Sequence, residues 1–134
     1  MAIPMLPINI TAVVVATIVS FIIGMVWYGP LFGKSWAKMS GVDMKQRKGM
    51  AKKSIAMLIS LFILNYVLAN TMKFVGAASI GEGLLAAFMT WLGYIATVLI
   101  GMVIWEGKPV KLYLIHSAHY LALLLLASAI IVSL

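Results

Sequence analysis

Residues 8–53 decide the fold: INITAVVVATIVSFIIGMVWY, then GPLFGKSWAKMSGVDMKQRKGMAKK. The first part is a charge-free run of 21 residues; the second, 25 residues long, holds seven of the chain's ten Lys and Arg. A helix of about 20 residues crosses a hydrocarbon core of roughly 30 Å, so the first part is long enough to span a bilayer. The second part gives that span a direction. Lys34, Lys38, Lys45, Arg47, Lys48, Lys52 and Lys53 crowd one end, and short loops rich in Lys and Arg stay on the cytoplasmic side.

The same pattern extends outward. Three further apolar segments of spanning length follow, so spans are expected near residues 8–28, 54–75, 83–105 and 112–132. Lys108 and Lys111 lie between the third and fourth, while the opposite side carries only Lys73, balanced by Glu82. The expected architecture is all-α: one polytopic domain over residues 1–134, its four transmembrane helices forming two helical hairpins. Loop 29–53 is cytoplasmic and both termini lie outside.

Composition excludes a soluble alternative. The 134 residues are 64% hydrophobic and 10% charged, with a mean hydropathy of +1.12, whereas soluble domains run at about 45–50% apolar and about 25% charged. So many apolar side chains cannot hide in one small core, and lipid must cover the rest. The net charge of +7 would suit nucleic acid only on a basic face of a soluble fold. Here membrane orientation accounts for it, and no nucleic-acid partner is expected. The absence of cysteine removes disulfides, thiolate nucleophiles and sulfur-ligated metals. Met1 to Asn9 contains no Lys or Arg, and the basic cluster follows the first apolar run instead of preceding it. That order is wrong for a signal peptide, so the first span is expected to be retained.

Finer signals divide the loop and the helices. Pro4 and Pro7 precede the first span, Pro30 is expected to close it, and Pro109 sits before the fourth. Asp43 with Gln46 three residues on reads as a capping box, predicting a basic helical stalk that runs into span two. Trp27, Tyr28, Trp36 and Trp105 fall where an inner aromatic belt forms. Small residues recur along span one (Ala12, Ala16, Ser20, Gly24) and span three (Ala86, Thr90, Gly93, Thr97, Gly101). Such stripes let backbones approach closely, within one chain or across a homo-oligomer interface. In span four, Tyr113, His116, His119, Tyr120, Leu123 and Ala127 share one side, with Ala118, Ala122, Ala129 and Ser133 opposite.

Polar groups inside a membrane are costly and therefore informative. His116 and His119, three apart on one helical face, have a spacing compatible with metal or haem ligation; hydrogen-bonded packing is the plainer reading. Glu106 at the end of span three pairs with Lys34, Lys108 or His116, either as an interfacial ion pair or as part of a proton-handling site. Asn65, midway along span two, reads as an interhelical hydrogen bond or as the lining of a permeation path. No nucleotide-binding loop, zincin helix or serine elbow occurs. The ten methionines read as fillers of apolar gaps. No cofactor is expected.

The string Trp27-Tyr28-Gly29-Pro30-Leu31-Phe32-Gly33-Lys34, followed by Trp36, resembles the hallmark of a bacterial group of small membrane proteins, domain-of-unknown-function family seventeen-sixty-one. The resemblance continues through Trp105-Glu106-Gly107-Lys108-Pro109 into early span four. It implies four helices in a bacterial cytoplasmic membrane and brings no activity. The family pattern often has asparagine near the position of His116, so histidine chemistry is not part of what the resemblance implies. The motif itself reads as an interfacial elbow in which aromatics set depth, Gly33 allows a tight return and Lys34 meets phosphate or Glu106.

These features favour a non-enzymatic homo-oligomer that binds or passes a small solute, ion or lipid, with Trp27, Tyr28, Lys34, Trp36, Asn65, Trp105, Glu106, His116 and His119 as candidate site residues. A lipid-modifying enzyme using Glu106, His116 and His119 is the alternative, and an accessory subunit working through contacts alone is the third reading. The topology is directly testable. A reporter fused to the C-terminus is expected to register the non-cytoplasmic side, and cytoplasmic reporter activity would overturn the orientation.

Overall fold

The computed structural model describes residues 7–134; Pro4 and the charge-free Met1–Leu6 stretch lie outside them. Five helices make up the described chain. Four are long and apolar enough to cross a membrane: α1 (Ile10–Leu31), α3 (Met50–Phe74), α4 (Ile80–Ile104) and α5 (Val110–Ser133). The fifth, α2 (Gly33–Ser40), is short and follows α1 directly. The protein is therefore an all-helical, multi-pass membrane protein, and its spans begin and end within a few residues of the boundaries expected from hydropathy.

Two hairpins are docked side by side. α1 packs against α3, α4 packs against α5, and the α1–α5 contact joins the pairs, with α3 also touching α5. Where the helices meet, Ala16, Leu61, Leu68, Met72, Ala87, Leu123, Leu124 and Ala127 form a closely packed core. The small stripe of α1 is spent here, with Ala12, Ala16 and Ser20 all buried. The stripe of α4 is not: Ala86, Thr90 and Gly101 are half-buried, and Gly93 and Thr97 face outward. Gly83, Ala87 and Ala96 are the small residues of α4 that pack inward.

Lipid offers no hydrogen bonds, so the helices carry their polar side chains on one another. Trp27 of α1 donates its indole N–H to the Ile115 carbonyl at 2.9 Å, and Trp91 of α4 donates to the Ser117 carbonyl at 2.8 Å. Two tryptophans thus grip α5 from both sides, two residues apart. Asn65 is fully buried and donates to Ser20 Oγ at 3.2 Å, linking α3 to α1. It also donates to the Leu61 carbonyl at 2.9 Å.

Two spans contain a wide π turn, Trp27–Leu31 in α1 and Leu92–Ala96 in α4. Pro30 explains the first, because it cannot donate within the helix. The chain widens around it, and Phe32 N–H reaches back five residues to the Trp27 carbonyl at 2.9 Å. Pro30 therefore does not close span one, as expected, but is carried inside its last turn. In α4 the Tyr113 hydroxyl donates to the Ala96 carbonyl at 2.8 Å, supplying a partner where the regular ladder is interrupted.

The loop also differs from expectation. Residues 33–40 are helical, and the proposed cap at Asp43 and Gln46 starts no helix. Asp43 Oδ1 accepts from the Lys45 N–H at 2.9 Å in a local turn, and α3 begins only at Met50, after Gly49 with φ of 73°. A continuous helix would stack Lys45, Lys48 and Lys52 on adjacent turns, and like charges at that spacing repel. The pair that does cap a helix is Ser79 and Glu82, whose side chains hydrogen-bond at 3.0 Å at the start of α4.

Gly33 is where α2 folds back on α1. A Cβ there would lie 2.7 Å from the Tyr28 carbonyl oxygen, a backbone atom that cannot step aside. Gly33→Ala is expected to destabilise the protein by about 1–3 kcal/mol, the usual range for overpacking. Gly81→Ala, where a Cβ meets nothing within 4 Å, is the control. Equal thermal midpoints for the two variants in detergent would refute this account of the fold-back.

Candidate functional site

The polar face of α5 meets the end of α1 where the wide turn begins, at Trp27 and Tyr28. His119 is 4% exposed, and neither ring nitrogen has a hydrogen-bond partner among the described residues. A neutral imidazole has one donor and one acceptor, and leaving either unmade in a buried site costs about 1–3 kcal/mol. The ring is held by aromatic contacts instead, its centroid 5.0 Å from that of Tyr28, 4.9 Å from Tyr120 and 6.1 Å from Trp27. His116, one turn away, has a partner: its Nδ1 shares a 2.6 Å hydrogen bond with the Tyr28 hydroxyl.

The unpartnered imidazole borders a cavity of about 380 Å³ between α1, α3 and α5, whose walls include Ser20, Gly24, Tyr28, Trp36, His116 and His119. Phe21, Met25, Met57, Leu61 and Tyr120 complete it, so the walls are mostly apolar and hold no Asp, Glu, Lys or Arg. Gly24 keeps the space open beside His119, its absent Cβ lying 3.6 Å from Nε2. Trp36 reaches the cavity because α2 doubles back, placing its ring 4.9 Å from Tyr28.

A second, larger chamber of about 1020 Å³ continues toward the basic end of the molecule. It shares Phe21, Gly24, Met25, Tyr28 and Trp36 with the first. Beyond those shared walls it is bounded by the 42–47 turn and the start of α3, with Asp43, Arg47 and Lys53 in its lining. The two together form one cleft.

Over residues 11–132 the sequence matches the family described as Protein of unknown function (DUF1761). The chain belongs to that family. No curated protein and no solved structure matches it. Membership in DUF1761 accords with the elbow motif that forms the wide turn and α2, and the family description assigns no activity.

Of the residues that sequence marked in this DUF1761 protein, the structure brings Tyr28, Trp36, His116 and His119 around one cavity, with the Trp27 ring centroid 6.1 Å from that of His119. Asn65 lies deeper, bonded to Ser20 of the cavity wall. Lys34, Trp105 and Glu106 are exposed and line none of the cavities described. The expected convergence of Glu106 with Lys34 and His116 is therefore not built around the cavity. Trp105 and Glu106 sit past the end of α4, whose main packing partner is α5. Among the described residues no group of three His, Cys, Asp or Glu is placed to hold a metal. Sequence reasoning missed Ser20 and Gly24 as site residues because their spacing signalled packing. It missed Arg47 and Lys53 because their charge signalled orientation.

The unequal satisfaction of the two histidines gives opposite expectations. Tyr28→Phe breaks a made hydrogen bond and is expected to cost about 0.5–1.5 kcal/mol. His119→Phe removes two unpartnered nitrogens and keeps an aromatic ring among Tyr28, Tyr120 and Trp27, and is expected to be neutral or stabilising. Thermal unfolding in detergent checks both; a marked loss on His119→Phe would show that the ring is structurally bonded.

Proposed function

We propose that the protein is a non-enzymatic membrane protein that binds a small, lipid-soluble molecule in the cleft between α1, α3 and α5. The observation that carries this reading is His119: a fully enclosed ring with both nitrogens unpartnered, on the wall of an apolar cavity. Cavities of roughly 300–1,000 Å³ with apolar walls and a few directed polar groups are the usual form of a ligand site. Binding is favoured over passage because the far end of the cleft is closed by Ser20, Leu61 and Asn65, and then by the packed core around Ala16 and Leu68. An enzymatic role draws less support. The inner cavity has no carboxylate in its walls to orient either histidine, an arrangement that general acid–base catalysis commonly uses.

The bilayer is the protein's medium, and we place it in a bacterial cytoplasmic membrane with its basic loops inside. The outward-facing Gly93 and Thr97 of α4, with half-buried Thr90 one turn before them, support a homo-oligomer formed by close helix contact.

The reading is tested by purifying the protein from its native membrane and measuring its intact mass in gently released form. Wild type is expected to retain a small molecule. Gly24→Leu, which pushes a branched side chain into the cavity beside His119, is expected to lose it. Gly24→Ala makes only ordinary contact at 3.6 Å and is expected to keep it. Wild-type protein that carries no small molecule, or carries the same one after Gly24→Leu, would overturn the proposal.

A further inference from the structure

The two chambers differ in chemistry along one line. At the inner end stand Leu61, Met57 and Phe21, side chains that accept only apolar groups. At mid-depth stands His119, whose Nε2 lies beside Gly24 and, like Nδ1, has no hydrogen-bond partner among the described residues. At the outer end the lining carries the cations Arg47 and Lys53 against one carboxylate, Asp43, which already accepts from the Lys45 backbone. From Leu61 to Lys53 along α3 is eight residues, roughly 12 Å at the helical rise. A ligand lying in this cleft therefore meets, in order, an apolar environment, a neutral hydrogen-bonding collar and a net positive mouth.

Resting on the reading that the cleft binds a lipid-soluble molecule, we infer that its ligand is an anionic single-chain amphiphile. It carries a hydroxyl or carbonyl oxygen between an acidic head and an apolar chain, the pattern of a monoacyl glycerophosphate. The head lies at Arg47 and Lys53. Arg presents a planar fork of donors that matches phosphate, and Lys adds a point charge. The linking oxygen answers Nε2 of His119, the ring nitrogen beside Gly24, and a hydroxyl suits it in either tautomer because that group can donate or accept. The first part of the chain fills the inner cavity, whose volume of about 380 Å³ is at the small end of ligand pockets, and the rest of the chain extends into the surrounding lipid. Met25, Met44, Met50 and Met57 border the two chambers, and their flexible thioethers adapt to chains of differing shape.

The test uses full-length protein in nanodiscs of phosphatidylcholine. Binding is followed by tryptophan emission, to which Trp36 in the cleft wall contributes, and by intact-mass competition. The probes are oleoyl glycerophosphate, oleoyl glycerophosphocholine, octadecyl phosphate and glycerol 3-phosphate. Oleoyl glycerophosphate is expected to bind most tightly, and glycerol 3-phosphate, which lacks a chain, not to compete. Arg47→Gln and Lys53→Gln are each expected to weaken oleoyl glycerophosphate about fivefold, the usual worth of one cation near an anionic lipid head. Lys34→Gln removes the same charge from exposed α2 outside the cleft and is expected to change little, which separates the site from general surface attraction. His119→Phe is expected to abolish the preference of oleoyl glycerophosphate over octadecyl phosphate, which lacks the linking oxygen.

Equal binding of the choline and phosphate probes, or equal effects of Lys34→Gln and Arg47→Gln, would overturn the anionic assignment. If single-chain probes bind regardless of charge and Gly24→Leu abolishes that binding, the cleft reading stands and this inference fails. If glycerol 3-phosphate competes fully, the ligand is a soluble phosphate and not an amphiphile. If Gly24→Leu leaves every probe unaffected, both readings fail together.

Discussion

In a bilayer core every polar side chain must find a partner inside the protein, and each failure costs several kcal/mol. The arrangement of this molecule depends on how that constraint is met on α5. Trp27 and Trp91 place their indole N–H groups on the carbonyls of Ile115 and Ser117. Tyr28 shares its hydroxyl with His116, and Tyr113 turns its own onto the widened ladder of α4. These bonds fix α1 and α4 against a common helix at nearly the same depth. Net gains per bond are modest, but leaving any one donor in hydrocarbon would be expensive. Asn65 Oδ1, Ser128 Oγ and both nitrogens of His119 are buried without a partner among the described residues, and of these residues His119 is the one that lines the cleft.

Most of the scaffold is legible in the sequence because the bilayer enforces simple rules. Span length, the clustering of cations and the small residues of α1 are each set by one dominant energy term, so reading them needs no knowledge of neighbours. The features that escape are those in which two local terms compete. Asp43 and Gln46 carry the side chains of a helix start, but Lys45, Lys48 and Lys52 would then crowd adjacent turns, and Gly49 offers a left-handed break instead. Pro30 reads as a terminator, but in a lipid-bounded helix a wider turn satisfies more of the backbone than stopping would.

The site is legible only in part for a related reason. His116, His119, Tyr28 and Trp36 stand out as polar or aromatic groups at informative depth, and they do meet. Glu106 stands out equally and does not line the cleft, because depth alone says nothing about which helix is adjacent. α4 and α1 lie on opposite flanks of α5, so residues at the end of one need not reach the end of the other. Ser20 and Gly24 are harder still. Small residues on a helix face are needed both for close packing and for leaving space, and the sequence does not say where the neighbouring backbone stops. Ser20 packs, with Asn65 against it, while four residues on Gly24 leaves the space that His119 borders.

The elbow motif supplies the last link between sequence and site. The wide turn holds about one residue more than a regular helical turn, which rotates α2 and the end of α1 relative to the rest of the span. Trp27 and Tyr28 sit at its start and both reach α5. After it, Gly33 lets α2 approach within contact of the Tyr28 carbonyl, and three residues later Trp36 lies against the Tyr28 ring. A regular helix to residue 31 with an extended loop after it would leave Trp36 without that seat and the cleft without one wall. Pro30 and Gly33 touch no ligand-facing polar group, yet their backbone chemistry decides where the aromatic wall stands. The most specific motif of the chain is therefore a positioning device for the cavity as well as an anchor of depth, joining the membrane-embedded histidines to the basic turn beyond them.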